Sequence, residues 1–193
     1  MNKKVFKLCL TTLMIALCYI GFAFIRFTIP TPLGYTSFHL GNVFCLLASL
    51  LLGGTIGGVA GAIGMGIGDM LDPLYIAIAP KTIILKMIMG LVCGLFAHKL
   101  LKIDEYEGKR QIIRVALSSL SGALINVILE PTFGYFYYRY VLNAPEKALS
   151  ALLSFNLLST SINAILAIIL STILYIAISK RFKNSMFLKN LYK

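Results

Sequence analysis

The 193-residue chain has no tryptophan, only two histidines, and only seven acidic residues against 18 Lys and Arg. Charged residues of both signs make up 13% of the sequence, about half the share of an ordinary soluble domain, and this excludes a water-soluble globular fold. Four cysteines, Cys9, Cys18, Cys45 and Cys93, lie in apolar stretches and form no C-x-x-C pair. They therefore support neither a zinc site nor a disulfide framework, and read as small buried hydrophobes. Without tryptophan, any stacking on a planar ligand falls to tyrosine and phenylalanine. Ser118, Ser119 and Ser121 lie in one apolar run, but His39 and His98 fall at opposite faces of the expected membrane. No nucleophile–base constellation results, and a hydrolase is not expected.

What remains is hydrophobic: 59% of residues, with a mean hydropathy of +0.87. A chain this short cannot hide that much apolar surface from water, so the bilayer is the expected solvent. The net charge of +11 could suit nucleic acid, but the cations flank apolar runs instead of lining one face, so no nucleic-acid partner is expected. The start, "MNKKVFKLCLTTLMIALCYIGFAF", has a charged opening like a signal peptide. It lacks an A-x-A-like site and is followed by further spans, so it reads as an uncleaved first helix.

A membrane-crossing helix needs about 20 mostly apolar residues. The sequence predicts six helices in one domain over residues 1–193, an all-α membrane bundle. Their approximate ranges are 5–25, 40–52, 54–71, 81–101, 112–138 and 149–179, with Pro131 kinking the fifth near its end. The boundary at Gly53 and Gly54 could be a kink or a turn. Most of the Lys and Arg fall on one side: Lys3, Lys4 and Lys7; Lys99, Lys102, Lys109, Arg110 and Arg114; Lys180, Arg181, Lys183, Lys189 and Lys193. Arg26, Lys81, Arg139 and Lys147 fall on the other. Cytoplasmic loops are enriched in these residues, so both termini are expected in the cytoplasm.

Residues 53–68, "GGTIGGVAGAIGMGIG", are half glycine. A phosphate-binding loop would end in a lysine and a Ser or Thr, and this stretch ends in Asp69. Its glycines recur four apart (Gly53 and Gly57, Gly54 and Gly58, Gly57 and Gly61, Gly64 and Gly68), the spacing that lets helix backbones approach closely in lipid.

Ionisable and amide groups within spans are costly and tend to face the protein interior. Here they are Asp69, Lys86, Glu130 and, less strictly, Arg139, with the amides Asn126, Asn156 and Asn163. All fall in the outer half of the predicted bundle or near its middle, the distribution a cavity open to the outside would need. A channel or proton relay would need polar groups through the full thickness. Other uses stand beside ligand contact: an Asp69–Lys86 ion pair, Glu130 satisfying backbone freed by Pro131, and interhelical amide bonds from Asn156 and Asn163, seven apart on one face. The aromatic run "FGYFYYRY" at 133–140 reads as interfacial belt, with one or two tyrosines available to stack on a ligand. The polar link "RFTIPTPLGYTSFHLGN" is too long for a tight turn and reads as a lid or binding loop. Its ligand candidates are Tyr35, His39 and Asn42.

The stretch "FHLGNVFCLLASLLLGGTIGGVAGAIGMGIGDML", followed by "APKTIILKMIMGLVCGL", resembles the substrate-binding (S) components of energy-coupling factor vitamin transporters, in particular the riboflavin-type group. There "HLGD" typically opens the second helix; here it is "HLGN", with Asn42 at the acidic position. Ala79, Pro80, Thr82, Lys86 and Gly90 match a further pattern of the group, and "FNLLSTSINAILAIIL" resembles its Asn-bearing last helix. The similarity spans about residues 8–175. It implies a six-helix component of the bacterial plasma membrane with no catalytic activity and no cofactor. Such a component captures a small heteroaromatic vitamin (riboflavin, pyridoxine or hydroxymethylpyrimidine class) from outside. It delivers the vitamin inward with a transmembrane T component and two cytoplasmic ATPases. The family's A-x-x-x-A docking face for the T component corresponds to Thr12 and Ala16. The competing expectation is a stand-alone secondary transporter or channel, which would often carry inverted repeats; none is evident between the two halves.

Overall fold

The computed structural model describes residues 3–31 and 34–183. Lys189 and Lys193, part of the expected basic face, lie outside the described residues. The chain runs α1 (Lys3–Ala23), β1 (Arg26–Thr31), β2 (Gly34–His39), α2 (Gly41–Leu52), α3 (Gly54–Met70), α4 (Ala79–Gly94), α5 (Gly108–Phe136) and α6 (Glu146–Lys183). π-helical turns extend α4 over Leu95–Leu100 and α5 over Tyr137–Val141.

The surface is inverted relative to a soluble protein. Leu8, Phe24, Leu124, Leu158, Ile165 and Ile173 are each at least half exposed, whereas Asn42, Asp69, Lys81, Asn126 and Asn163 are buried. Hydroxyls on the outer faces turn back onto their own helices: Thr11 donates to the Lys7 carbonyl, Thr132 to Ile128 and Ser161 to Leu157. This satisfies them without water. Four helical stretches are long and apolar enough to cross a membrane: Lys4–Ala23, Ile76–Leu100, Gly108–Val141 and Ala148–Ser179.

The two remaining helices are shorter. α2, with 12 residues, spans only about 18 Å, but it touches all five other helices. Leu46, Ala48 and Leu50 on it are fully buried. Gly53, at φ 90°, breaks the chain between α2 and α3 as a turn; its left-handed backbone favours a residue without a Cβ. The α3 glycines lie against neighbouring helices. A Cβ at Gly58 would meet the Met87 carbonyl of α4, one at Gly64 the Ile15 carbonyl of α1, and one at Gly61 the Cys45 side chain of α2. α4 answers with Gly90 and Gly94, whose backbones abut Gly58 and Gly54.

One expectation needs correcting. The link after α1 is not irregular: β1 and β2 form an antiparallel hairpin, paired from Arg26 with His39 to Thr31 with Gly34. Alternating β-branched and aromatic residues favour the strands, and Pro30 is tolerated in a two-stranded ribbon that has only edges. α5 runs through Pro131 to Phe136, as the expected range of the fifth helix requires.

Candidate functional site

Successive helices alternate in direction, so one end of the bundle carries the hairpin, the segment 71–78 and the α5–α6 connection, while the start of α1 and the end of α6 lie at the other. At the hairpin end a cavity enters the bundle, with about 580 Å³ of empty space counted to its open side.

All nine candidate ligand residues line it: Tyr35 and His39 from β2, Asn42 from α2, Asp69 from α3, Lys86 from α4, Asn126 and Glu130 from α5, and Asn156 and Asn163 from α6. Tyr35 is the most exposed lining residue and marks the opening.

The partnerships inside differ from the one the charges had suggested. Asp69 and Lys86 form no ion pair. Glu130 pairs instead with Lys81, across α4 and α5, and so is not taken up by backbone freed at Pro131. The Lys81 ammonium also sits 5.4 Å from the centre of the Tyr138 ring, a cation–π contact. Lys86 donates to the Asn126 Oδ1 at 3.0 Å. Asp69 is only 1% exposed, and the Thr82 hydroxyl is the hydrogen-bonding group beside it. The Asn42 Oδ1 and His39 Nδ1 are buried without partners.

The hairpin roofs the cavity and is tied on two sides. On α6, the Asn163 amide donates to the Ser37 carbonyl at 2.9 Å and accepts the His39 backbone N–H at 3.0 Å. The Thr36 and Ser159 hydroxyls meet at 2.7 Å. At the rim, Arg26 forms an ion pair with Asp72 and lies 4.9 Å from the centre of the Tyr75 ring. Burial, with the Lys86 and Arg26 charges adding to it, pushes the His39 imidazole down to about 3. The ring is therefore neutral at physiological pH and can both donate and accept a hydrogen bond.

Sequence reading missed Lys81, Thr36, Ser159 and Thr160 as lining residues. Ser159 and Thr160 could have been found, because they fill the gap between Asn156 and Asn163 in a polar stripe at helical spacing. Lys81 sits at a helix start, where a lysine ordinarily points to water. Among the described aromatics of 133–140, it is Tyr138 that lines the cavity; Tyr140 is 70% exposed. Thr12 and Ala16 lie far from the cavity, both exposed on α1. Among the described residues no group of three or more His, Cys, Asp or Glu side chains is placed to hold a metal ion.

A family model described as "ECF-type riboflavin transporter, S component" matches residues 2–180. The chain is also similar to a protein of Pyrococcus woesei described as "Uncharacterized protein in gap 3'region". The two are 28% identical over 126 residues, 65% of this chain and 73% of that one. No solved structure gives a significant match.

Proposed function

Because the chain belongs to the family of ECF-type riboflavin transporter S components, a family of membrane transport components and not of enzymes, we propose that its cavity is the capture site for a small heteroaromatic vitamin. The riboflavin, pyridoxine and hydroxymethylpyrimidine class is meant. One observation carries this reading: polar side chains from β2 and from α2 to α6 converge on a single cavity at one end of a bundle whose outer surface is apolar. Groups that only cross-linked helices would be spread along the interfaces and satisfied in pairs. Here several stay unsatisfied and face one space.

In this reading all six helices sit in the cell membrane, both termini face the cytoplasm, and the cavity faces outward beneath the hairpin. The nine candidates, Tyr35, His39, Asn42, Asp69, Lys86, Asn126, Glu130, Asn156 and Asn163, line the binding site. The chain has no ATP-binding loop of its own, so inward delivery falls to a transmembrane T component and two ATPases. The exposed Thr12–Ala16 face of α1 is the docking surface for the T component.

The test is a vitamin panel against the purified protein by calorimetry and by co-purification. One vitamin should bind tightly and at 1:1, without ATP hydrolysis. Failure of every vitamin, together with an ion flux through the protein alone in liposomes, overturns the reading in favour of a stand-alone transporter or channel.

A further inference from the structure

The end of the bundle opposite the cavity carries a second polar cluster, centred on His98. The π-helical turn Leu95–Leu100 brings this ring against the last turn of α2 and the connection to α5. Its Nε2 lies 3.2 Å from the Ser49 carbonyl of α2, and its Nδ1 lies 3.1 Å from the Asp104 Oδ2. The Leu50 carbonyl is within hydrogen-bonding range as well. The Tyr175 hydroxyl of α6 donates to the other Asp104 oxygen at 3.1 Å. Four segments thus meet through one imidazole and one carboxylate: α2, the end of α4, the α4–α5 connection and α6.

Both ring nitrogens face acceptors. A neutral imidazole has a single N–H, so it serves one of them and sets a lone pair against the other. The doubly protonated ring donates to both. It also places a positive charge at the C-terminus of α2, where the helix dipole favours one. The charged groups nearby are engaged elsewhere or point outward. α2 carries no charged side chain. On the connection, Lys102 pairs with Glu105. On α5, Arg114 donates to the Leu101 carbonyl and stacks on Tyr106, while Lys109 and Arg110 are exposed. Lys99, next to His98 on its own turn, is exposed too.

We propose that His98, Asp104 and Tyr175 form a proton-operated latch. While the ring carries both protons, it holds the Ser49 carbonyl to Asp104, and through Asp104 it holds α6. Loss of one proton strips one of these bonds and loosens the connection 101–107. The latch is therefore closed on the acid side of the ring's titration and open on the alkaline side, and imidazole is the side chain that ordinarily titrates near neutral pH. In the orientation given above this end faces the cytoplasm, so the latch responds to cytoplasmic pH. It does not depend on what the cavity binds.

The test is ring-nitrogen NMR on detergent-purified full-length protein, made with isotope-labelled histidine and a histidine-free tag. The chain has two histidines, and His39 stays neutral until about pH 3, so a ring that titrates near neutrality is His98. At about pH 6 one ring should carry two N–H protons, and raising the pH should leave it with one. Amide exchange at residues 103–106 should be at least roughly tenfold faster in His98→Asn than in wild type at about pH 6, because a bond to a charged group is lost. That ratio should fall toward one as the wild-type ring loses its proton. Asp104→Leu, at a site 39% exposed, should show the loosened connection at every pH. Two rings with a single N–H each at about pH 6 overturn the proposal, and that result needs no variant to fold. An exchange ratio that stays constant while the ring titrates also overturns it, because His98 would then be a passive cap on α2. Neither result bears on ligand capture, which the vitamin panel tests separately.

Discussion

The His39 backbone N–H donates to the Asn163 side chain at 3.0 Å, so the end of the hairpin is held by an amide from the middle of α6. The same amide donates to the Ser37 carbonyl. Its two polar ends thus match a donor and an acceptor on one strand, a fit an aspartate cannot reproduce because it lacks the N–H₂. Asn163→Leu removes both bonds and leaves two strand groups unpaired, at about 1–3 kcal/mol each for buried groups. The hairpin should loosen while the bundle stays folded. Ligand dissociation should be at least tenfold faster in Asn163→Leu, and amide exchange at Ser37–His39 should accelerate selectively. Unchanged exchange there would mean that Asn163 does not hold the roof.

Lys81 and Glu130 should obey the arithmetic of a buried pair. Lys81 is 2% exposed, so Glu130→Gln alone leaves an ammonium inside the bundle without its counter-charge. Breaking such a pair from one side typically costs about 3–5 kcal/mol, whereas replacing both partners by apolar groups is often close to neutral. Lys81→Met and Glu130→Gln should each lower the melting temperature in detergent markedly, and the Lys81→Met/Glu130→Met double variant should recover most of the loss. A double variant as unstable as the sum of the two singles would remove the pairing argument.

Much of this arrangement could be read before the structure, because lipid makes polar residues conspicuous. Asp69, Lys86, Asn126, Glu130, Asn156 and Asn163 interrupt apolar runs, and all of them line the cavity. The helices were legible for the same reason, and the glycine spacing of 53–68 gave the close packing of α3. The partnerships were not legible. Whether Asp69 meets Lys86 or Lys81 meets Glu130 depends on the rotation of α4 about its axis, which apolar periodicity does not fix when the helix is buried on several sides. The hairpin was hidden because its strands are six residues each, and the prolines among them argued for loop. The signal was the alternation in "RFTI" and "YTSF", with opposite residues pairing once the chain reverses.

The α3–α4 contact gives a packing test remote from the ligand. A Cβ at Gly90 would run into the Gly58 backbone, whereas one at Gly53 would meet open space but a positive φ of 90°. Gly90→Val must therefore push two helices apart; overpacking typically costs about 1–3 kcal/mol, more when the obstacle is backbone. Gly53→Ala incurs only the cost of a Cβ at φ 90° and ψ 162°, a region nearly confined to glycine, about 1–3 kcal/mol. Thermal unfolding in detergent should place Gly90→Val well below Gly53→Ala. The reverse order would show that α3 and α4 do not pack through their glycines.

The Arg26–Asp72 pair at the rim should make ligand retention depend on acid. Burial raises the Asp72 carboxyl, but the Leu74 N–H and the Arg26 guanidinium outweigh it and hold the group below its ordinary 3.8. The folded form thus binds its proton less readily than the unfolded chain. The stabilisation this brings is complete above the ordinary value and is lost as pH falls through the lower, folded one. Other carboxylates also titrate in acid, so the informative quantity is the ratio of ligand off-rates between Asp72→Asn and wild type. That ratio should exceed one and stay flat from about pH 8 to pH 5, then fall toward one below about pH 4 as the wild-type latch protonates. A ratio of one at neutral pH would show that the pair does not restrain the hairpin. A ratio that changed between pH 6 and 8 would point to a different titrating group, and His39, already neutral there, is not that group.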